Sequence, residues 1–366
     1  MNKKEISSKC PNCGSQLKYH TKEKKLKCIS CDSTFEIESL GKGTLDKEEH
    51  DYMEMLQEIR VNKLTKKVVK SLNCTNCGAA LINDGNIKST ICPFCGSNHI
   101  IEKDSKEEII PITGIIPFNI NKKECNEYFH KWIKSKFFAP NYFKKLKFQL
   151  DLYPVYLPYW TFDMECFTNY RAQRGDYYYE EVVKYDSEGN RIVEEERKIK
   201  WSYTSGSCSN SFDDIMVLGS IKQDNRYYID EICNFDFKNM EKYTPEFLIG
   251  YNAEKISLPL EKAFANAKID ANDQIESSIR WDVGGDEVRI LSTDTKYNDI
   301  TFKQIMVPIY NGIYKYKGKE YRFVVNGQTG VFSGGYPVSG IKVFFFVLMI
   351  VLFVMGIVWL FSRVNM

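Results

Sequence analysis

Residues 343–361 read VFFFVLMIVLFVMGIVWLF, a stretch of 19 residues without a charge, a proline or an amide side chain. At about 1.5 Å per residue, a helix of this length covers roughly the 30 Å of a bilayer's hydrocarbon core. Lys342 and Arg363 flank the stretch, and Trp359 lies where an indole can rest among the headgroups. A buried core helix rarely lacks a polar face over this length. The sequence therefore predicts one transmembrane helix over residues 342–362.

The N-terminus and the cysteines indicate which side of the membrane holds the rest of the chain. The first ten residues, MNKKEISSKC, are basic but have no apolar run behind them, so we expect no secretory signal. Of 12 cysteines, eight form four CxxC pairs, a pattern typical of metal binding by reduced thiols rather than of disulfides. We therefore expect a single-pass, tail-anchored protein of the inner membrane with its N-terminal body in the cytoplasm.

Two four-cysteine units repeat at an interval of 64 residues, each with 14 residues between its two CxxC pairs. Their cysteines are Cys10, Cys13, Cys28 and Cys31 in the first unit, and Cys74, Cys77, Cys92 and Cys95 in the second. A CxxC turn aims two sulfurs at one ion, and two such turns complete a tetrahedron of thiolates. The glycines after Cys13, Cys77 and Cys95 suit the positive φ of these turns, and Asp32 can adopt it too. The pattern predicts metal-binding zinc ribbons at residues 1–40 and 73–101.

The ligand set indicates what the metal does. Four cysteines leave no coordination position for water or substrate, so each site is expected to be structural and to stabilise a fold too small to have a core. We expect zinc (Zn2+) at both sites, although iron could bind the same sulfurs as in rubredoxin-like knuckles. The units resemble the zinc ribbons of transcription factor IIB, RNA polymerase subunits and the primosomal helicase. That likeness is specific for the metal site and does not indicate what the ribbon contacts.

Residues 41–72, between the two units, are predicted to form an amphipathic helical linker. Their apolar residues recur at helical spacing: Tyr52, Met55, Leu56 and Ile59. The spacing indicates a helix from Thr44 to Leu64, capped by Thr44 or Asp46. Four lysines follow: Lys63, Lys66, Lys67 and Lys70. This basic run is more typical of a solvated helix end than of contact with anionic lipid or nucleic acid.

Residues 102–108 are expected to be a charged linker, and residues 110–340 a large aromatic-rich domain. Helices are predicted after Asn121, which is a plausible cap, and over Leu260 to Ile279. One hairpin is predicted to join Val182–Tyr185 to Ile192–Trp201, and a second crosses Lys317-Gly318-Lys319. Because strands and helices do not alternate strictly, we predict an α+β domain with an antiparallel sheet.

Five strings in the large domain carry a family resemblance. They are LPYWTFD (157–163), SFDDIMVLGS (211–220), YTPEFLIGYNAE (243–254), VPIYNGIYKYKGKEYRFVVNGQTG (307–330) and YPVSGIK (336–342). On these strings the chain resembles a bacterial family described as TFIIB-type zinc-ribbon-containing membrane proteins, over Ile115 to Lys342. Two ribbons and a tail anchor make its layout similar to zinc-ribbon membrane partners of phage-shock protein A and SPFH-domain proteins in envelope-stress systems. The resemblance implies a scaffold that brings soluble partners to the membrane.

The sequence offers little for an enzyme. It contains no HExxH, no GxSxG, no GxxxxGK[ST] and no GxGxxG after a strand. Cys208, among small polar residues, is the least implausible nucleophile, but an inert thiol is the commoner case. Asp213 and Asp214, if adjacent in a strand, would point to opposite faces and would not form an acid/base pair. We therefore predict no enzyme, and no catalytic or cofactor-binding residues.

Two functions of different classes fit these features. The favoured one is a membrane-tethered cytoplasmic adaptor or scaffold that binds partner proteins, because the metal sites are closed and the chain ends in an anchor. The alternative is a membrane-anchored zinc-ribbon protein that binds nucleic acid in transcription or replication. The net charge of about +2 gives no large positive field of the kind that non-specific nucleic-acid binding uses. Nucleic acid is thus a possible partner that the sequence does not favour.

Overall fold

A computed structural model of the chain describes residues 8–37, 49–61, 66–82, 91–108, 110–146, 150–185, 189–221 and 226–364. Its strands are β1 (Leu17–His20), β2 (Lys25–Cys28), β3 (Thr34–Phe35), β4 (His50–Asp51), β5 (Lys66–Cys74), β6 (Ala80–Ile82), β7 (Ile100–Glu108), β8 (Gly114–Ile115), β9 (Asp151–Tyr185), β10 (Arg191–Leu218), β11 (Glu241–Lys242), β12 (Asn252–Ala253), β13 (Glu287–Tyr316), β14 (Lys319–Asn326) and β15 (Phe332–Gly334). Its α-helices are α1 (Tyr52–Arg60), α2 (Lys122–Ser135), α3 (Asn141–Lys145), α4 (Arg226–Glu231), α5 (Leu260–Val283) and α6 (Gly340–Val364).

The strands form two small sheets and one large one. The small sheets have the strand orders β1-β2-β3 and β6-β5-β7, and each carries one four-cysteine unit. The large sheet has nine strands with the main order β10-β9-β13-β14-β15. It is mostly antiparallel, with parallel pairs between β12 and β9 and between β13 and β8. The predicted fold class, two small β units followed by an α+β domain and an apolar C-terminal helix, is confirmed.

Three very long strands dominate the large sheet. β9 has 35 residues, β10 has 28 and β13 has 30. At about 3.3 Å per residue, β9 extends for roughly 110 Å. The predicted pairing of Val182–Tyr185 with Ile192–Trp201 is part of the β9–β10 pair, whose register runs from Arg191 opposite Tyr185 to Leu218 opposite Tyr159. The beginning of β13 pairs with β9 only as far as Gly175, so the hairpin extends beyond it as two strands.

Helix α5 covers one face of these strands. Its buried residues recur at helical spacing: Leu260, Ala263, Phe264, Ala267, Ala271, Ile275, Ile279 and Val283. They share a core with the even-numbered side chains of β9, including Phe162, Met164 and Tyr170. The predicted helix is confirmed and continues to Val283, ending at Gly284 with φ +62°.

Two other local predictions are also confirmed. The Asn121 side chain accepts from the backbone N–H of Glu124 at 3.0 Å, and the Glu124 carboxylate accepts from the Asn121 N–H at 2.9 Å. This capping box starts α2. The β13–β14 hairpin turns at Lys317 and Gly318, whose φ angles of +50° and +77° suit a two-residue turn. Both signals are local, which is why the sequence contains them.

The segments on either side of the second unit differ from the prediction. Residues Lys66–Cys74 (β5) and Ile100–Glu108 (β7) are antiparallel strands of one sheet, so a helical linker reaching residue 72 and a charged linker over 102–108 are wrong there. The register places Lys70 opposite Asp104. Residues of opposite charge at facing positions favour strand pairing. The lysines of β5 and the charged residues of β7, which in the sequence resembled solvated segments, therefore face each other in a pair of antiparallel strands.

The predicted helix between the units is shorter than expected. Within the described residues it covers Tyr52–Arg60 (α1), with its apolar side chains on the core of α5. Its cap is Asp51, whose Oδ1 accepts from the Glu54 N–H at 2.7 Å. Thr44 and Asp46, the predicted caps, lie outside the described residues. The prediction of an amphipathic helix is thus confirmed in type and corrected in extent.

Helix α6 is long and apolar enough to cross a membrane. The most apolar 18-residue window within Gly340–Arg363 has a mean hydropathy of 3.1, and none of that window is buried inside the protein. The Ser339 N–H donates to the Phe138 carbonyl at 2.9 Å, and the Phe138 ring lies 5.3 Å from that of Phe346. The helix therefore leaves the large domain beside the C-terminal end of α2.

Candidate metal centres

The eight predicted ligands come together as two groups. In each group the four Sγ atoms lie within 4.8 Å of one another. Four of the Sγ pairs are Cys10–Cys31 at 3.7 Å, Cys13–Cys28 at 3.4 Å, and Cys74–Cys95 and Cys77–Cys92 at 3.6 Å. Thiolates at about 2.3 Å from a tetrahedral ion are about 3.8 Å apart. The two groups therefore have the geometry to hold one metal ion each.

The same backbone turn is used at all four CxxC pairs. The N–H of the first cysteine donates to the carbonyl five residues later: Cys10 to Ser15, Cys28 to Ser33, Cys74 to Ala79 and Cys92 to Ser97, at 2.6 to 2.9 Å. The residue after each second cysteine has a positive φ: Gly14 +73°, Asp32 +56°, Gly78 +77° and Gly96 +72°. The predicted conformations are confirmed. The repeat in the sequence is a repeat in the backbone.

The last cysteine of each unit favours the thiolate that binds a metal. Hydrogen bonding with the Ser33 hydroxyl, 3.2 Å away, lowers the pKa of Cys31 to about 6. Burial raises the pKa of Cys95, but hydrogen bonds with Ser97 and Asn76 outweigh it and bring that pKa to about 6 as well. Each serine lies two residues after its cysteine. The repeat therefore extends beyond the ligands to a group that stabilises their charge.

The first unit packs on residues 247–251 of the large domain. The Tyr19 N–H donates to the Ile249 carbonyl at 3.2 Å, and the Tyr19 ring lies 5.5 Å from that of Phe247. Gly250, which follows Ile249, has φ +85°, and a Cβ there would lie 2.7 Å from the Lys18 Cγ. This close approach requires glycine. The first unit is thus part of the core of the large domain.

The second unit packs on the residues that follow immediately. The Lys255 N–H donates to the Ala80 carbonyl at 2.8 Å, and Glu254 bridges to Leu81. Glu254 is buried, and its Oε1 accepts from the Ser220 hydroxyl at 2.9 Å. Between the two contacts, Asn252–Ala253 pairs in parallel with β9. Residues 249–255 therefore connect both four-cysteine units to the large sheet.

The predicted geometry of Asp213 and Asp214 is wrong. A bulge between Phe212 and Ile215 interrupts the pairing of β10 with β9, and Asp214 has φ +54°. An extra residue breaks the alternation of side chains across a strand. The two carboxylates therefore do not diverge, and with Asp163 they form a group whose oxygens lie within 4.8 Å of one another.

A lysine supplies the positive charge at this group. Lys303 is buried, and its Nζ lies 2.9 Å from Glu49 Oε1 and 3.2 Å from Asp214 Oδ1. Burial lowers the pKa of Lys303, but Glu49, Asp214 and Asp163 raise it above its ordinary value on balance. Burial raises the pKa of Asp163 to about 6. The ion cluster attaches the start of the β4–α1 segment to the bulged part of the sheet.

Cys208 lies on the β10 face that packs against α5. Burial and the nearby Asp282 carboxylate raise the pKa of its thiol. The Tyr170 hydroxyl, from the neighbouring strand, donates to Asp282. A raised pKa reduces the fraction of thiolate, the form that acts as a nucleophile.

Comparison with known proteins gives one similarity over most of the chain. No family model matches the sequence, and no solved structure matches it. The chain is similar to the uncharacterized protein YdjG of Bacillus subtilis (strain 168), at 27% identity over 343 residues, covering 92% of each chain. The similarity extends over both proteins almost end to end, and so is not confined to the cysteine motifs.

Proposed function

We propose that this protein is a membrane-tethered adaptor that binds partner proteins at the cytoplasmic face of the inner membrane, with a structural zinc ion in each four-cysteine group. The observation that carries the proposal is an unprotected sheet edge on the long strands. Closed metal sites and the terminal apolar helix support it. The family resemblance supports partners of the phage-shock protein A and SPFH-domain types.

The unprotected edge is β10, which lies at the end of the strand order and, among the described residues, pairs only with β9. Residues 201–211 of this edge, WSYTSGSCSNS, contain no charge and no proline. Natural sheet edges are usually protected by lysines, prolines or bulges against pairing with another chain. This segment has a continuous register with β9. It is suited to accept an added strand from a partner protein.

The opposite edge of the same region is protected. Beyond Thr301, towards the hairpin, β13 pairs only with β9 within the described residues, and bulges interrupt that pairing at two places. Its charged residues are Glu287, Arg289, Asp294, Lys296 and Asp299. The β13 edge is therefore protected by charges and bulges, whereas residues 201–211 of the β10 edge carry no charge and pair continuously with β9.

A depression on the face of the sheet lies next to the unprotected edge of β10. Ser205 and Ser207 line a shallow depression of about 580 Å³ together with Asn169, Arg171 and Asp294. Side chains of an added strand would lie next to this depression. The edge begins roughly 50 Å along the sheet from the first residue of β9, counting about 3.3 Å per residue. A partner bound there would stand clear of the base of α6.

The test is recovery of partners from cells that express the full chain. The variant Ser205→Lys/Ser207→Lys adds protecting charges at exposed positions of β10, and Gln274→Lys/Ser277→Lys adds the same charge on the exposed side of α5. After mild crosslinking and detergent solubilisation, we expect defined proteins with the wild type and the α5 variant, and their loss with the β10 variant.

Other outcomes contradict the proposal. Equal recovery from both variants would exclude this edge, and no protein recovered from the wild type would exclude an adaptor. If the chain binds nucleic acid instead, the added β10 lysines would strengthen its retention on DNA or RNA, and rising salt would weaken that retention steeply.

A further inference from the structure

One segment of this nearly neutral chain is strongly basic. Residues 128–150 contain six lysines and no acidic residue, whereas the whole chain has 50 basic against 48 acidic residues. The lysines are Lys131, Lys134, Lys136, Lys144, Lys145 and Lys147, of which Lys147 lies outside the described residues. The segment comprises the C-terminal half of α2, the loop after it, and α3. Its charge has no counterpart within the segment.

The fold brings this segment to the base of α6. The Lys342 Nζ donates to the carbonyls of Phe137 and Ala139, both at 2.9 Å, and the Phe138 ring contacts Phe346. Phe346 belongs to the apolar stretch that would lie in hydrocarbon. A residue in contact with it therefore lies at the boundary between hydrocarbon and headgroups.

The surface beside this contact is both apolar and basic. Phe137 is 66% exposed, Tyr142 is 68% exposed and Ile341 is 72% exposed. Lys134, three residues before Phe137, and Lys145, three residues after Tyr142, are exposed as well. The Lys144 Nζ donates to the Lys134 carbonyl at 3.0 Å, which holds α3 against the end of α2. Exposed aromatic residues among lysines are typical of surfaces that lie in a membrane interface.

We infer that this surface, formed by Lys134, Phe137, Tyr142, Lys145 and Ile341, binds the anionic phospholipid headgroups of the bilayer that α6 enters. Its position continues the membrane-spanning helix, and its charge complements an anionic leaflet. The aromatic side chains would insert among the headgroups while the lysines pair with phosphates. The large domain would then rest on the membrane in one orientation. The inference relies on the membrane anchor of the proposed function, but not on partner binding.

The test is lysine footprinting of the full chain in lipid nanodiscs. Discs of phosphatidylcholine alone are compared with discs that also contain phosphatidylglycerol, and the acetylation rate of each lysine is followed by mass spectrometry. We expect Lys134 and Lys145 to react several-fold more slowly in the anionic discs, and high salt to remove the difference. Lys262 and Lys296, exposed on α5 and β13, should react equally in both.

A pair of variants separates this surface from general charge effects. Lys134→Glu/Lys145→Glu should abolish the lipid-dependent protection of Lys136 and Lys144, and Lys262→Glu/Lys296→Glu should preserve it. Equal reactivity of the wild type in both kinds of disc would overturn the inference while leaving the anchor intact. A full chain that fails to co-migrate with either disc would overturn the anchor itself.

Discussion

The backbone N–H of Tyr19, in the first four-cysteine unit, donates to the carbonyl of Ile249, in the large domain, at 3.2 Å. Tyr19 is only 2% exposed. Ile249 begins the segment that also contacts the second unit through Lys255. The two four-cysteine units are therefore packed into the body of the protein, and loss of either should alter the large domain.

Metal analysis of the purified chain should find about two zinc ions, one for each four-cysteine group. Changing Cys74 and Cys77 to Ser removes two of four ligands and should leave about one ion per chain. Cys208→Ser, a matched change outside both groups, should keep the wild-type content. Iron in place of zinc, or an unchanged content in the double variant, would contradict the assignment.

Tyr19→Ala should loosen the first unit from the large domain. The change removes a buried ring that lies 5.5 Å from Phe247 and 6.3 Å from Tyr251. Large-to-small changes of buried aromatic residues cost about 3 kcal/mol or more. Hydrogen exchange should rise at residues 17–20 and 247–251. Tyr203→Ala, at a ring that is 81% exposed, is the control. If hydrogen exchange at residues 17–20 and 247–251 rose equally in Tyr203→Ala, the contact of Tyr19 with the large domain would be unimportant.

Lys303→Met should destabilise the large domain strongly. It removes a buried ammonium and leaves the Glu49 and Asp214 carboxylates without their cation. Breaking one side of a buried ion pair costs about 3–5 kcal/mol. Lys296→Met, on an exposed position of the same strand, should change the free energy of unfolding by less than about 0.5 kcal/mol. Urea unfolding of both variants in detergent provides the comparison, and equal midpoints would refute a structural role for the cluster.

The stability of this cluster should depend on pH through Asp163. Burial raises its folded pKa to about 6, above the unfolded value of about 3.9. The folded state therefore binds the proton more tightly, and this contribution to stability is present below about pH 4 and lost as the pH rises through about 6. Asp163→Asn removes that titration.

Urea unfolding of the wild type and Asp163→Asn at about pH 5 and about pH 8 tests this. The free energy of unfolding of the variant, relative to the wild type, should be higher at the higher pH. Asp273→Asn, on the exposed face of α5, is measured at the same two pH values as the matched control. A constant difference between Asp163→Asn and the wild type at both pH values would mean that Asp163 does not titrate with folding.

The features that could be predicted from the sequence are those with local signals. The CxxC spacing, the Asn121 cap and the turn at Lys317 each need only a few neighbouring residues, and each is in place. The length of β9 had no such signal, because alternation over 35 residues is hidden where both faces are buried, as at residues 155–162.

Other features depend on distant parts of the chain. The bulge before Ile215 reverses the expected relation of Asp213 and Asp214, and no composition signal marks it. The pairing of β5 with β7 joins two charged segments that seemed independent. In the sequence only Lys342 and Arg363 flank the apolar stretch 343–361, whereas the fold adds the lysines of α2 and α3 at the base of α6. These relationships arise from tertiary contacts, which local patterns do not contain.

Residues 249–255 are held from both sides by the four-cysteine units, each of which could hold one metal ion. Displacement of one ion would remove the contacts that its unit makes with residues 249–255. It would thereby weaken the packing of the other unit against the same residues. As the concentration of free zinc falls, or that of an oxidant rises, both units would then unfold together over a narrow range of that concentration rather than one after the other.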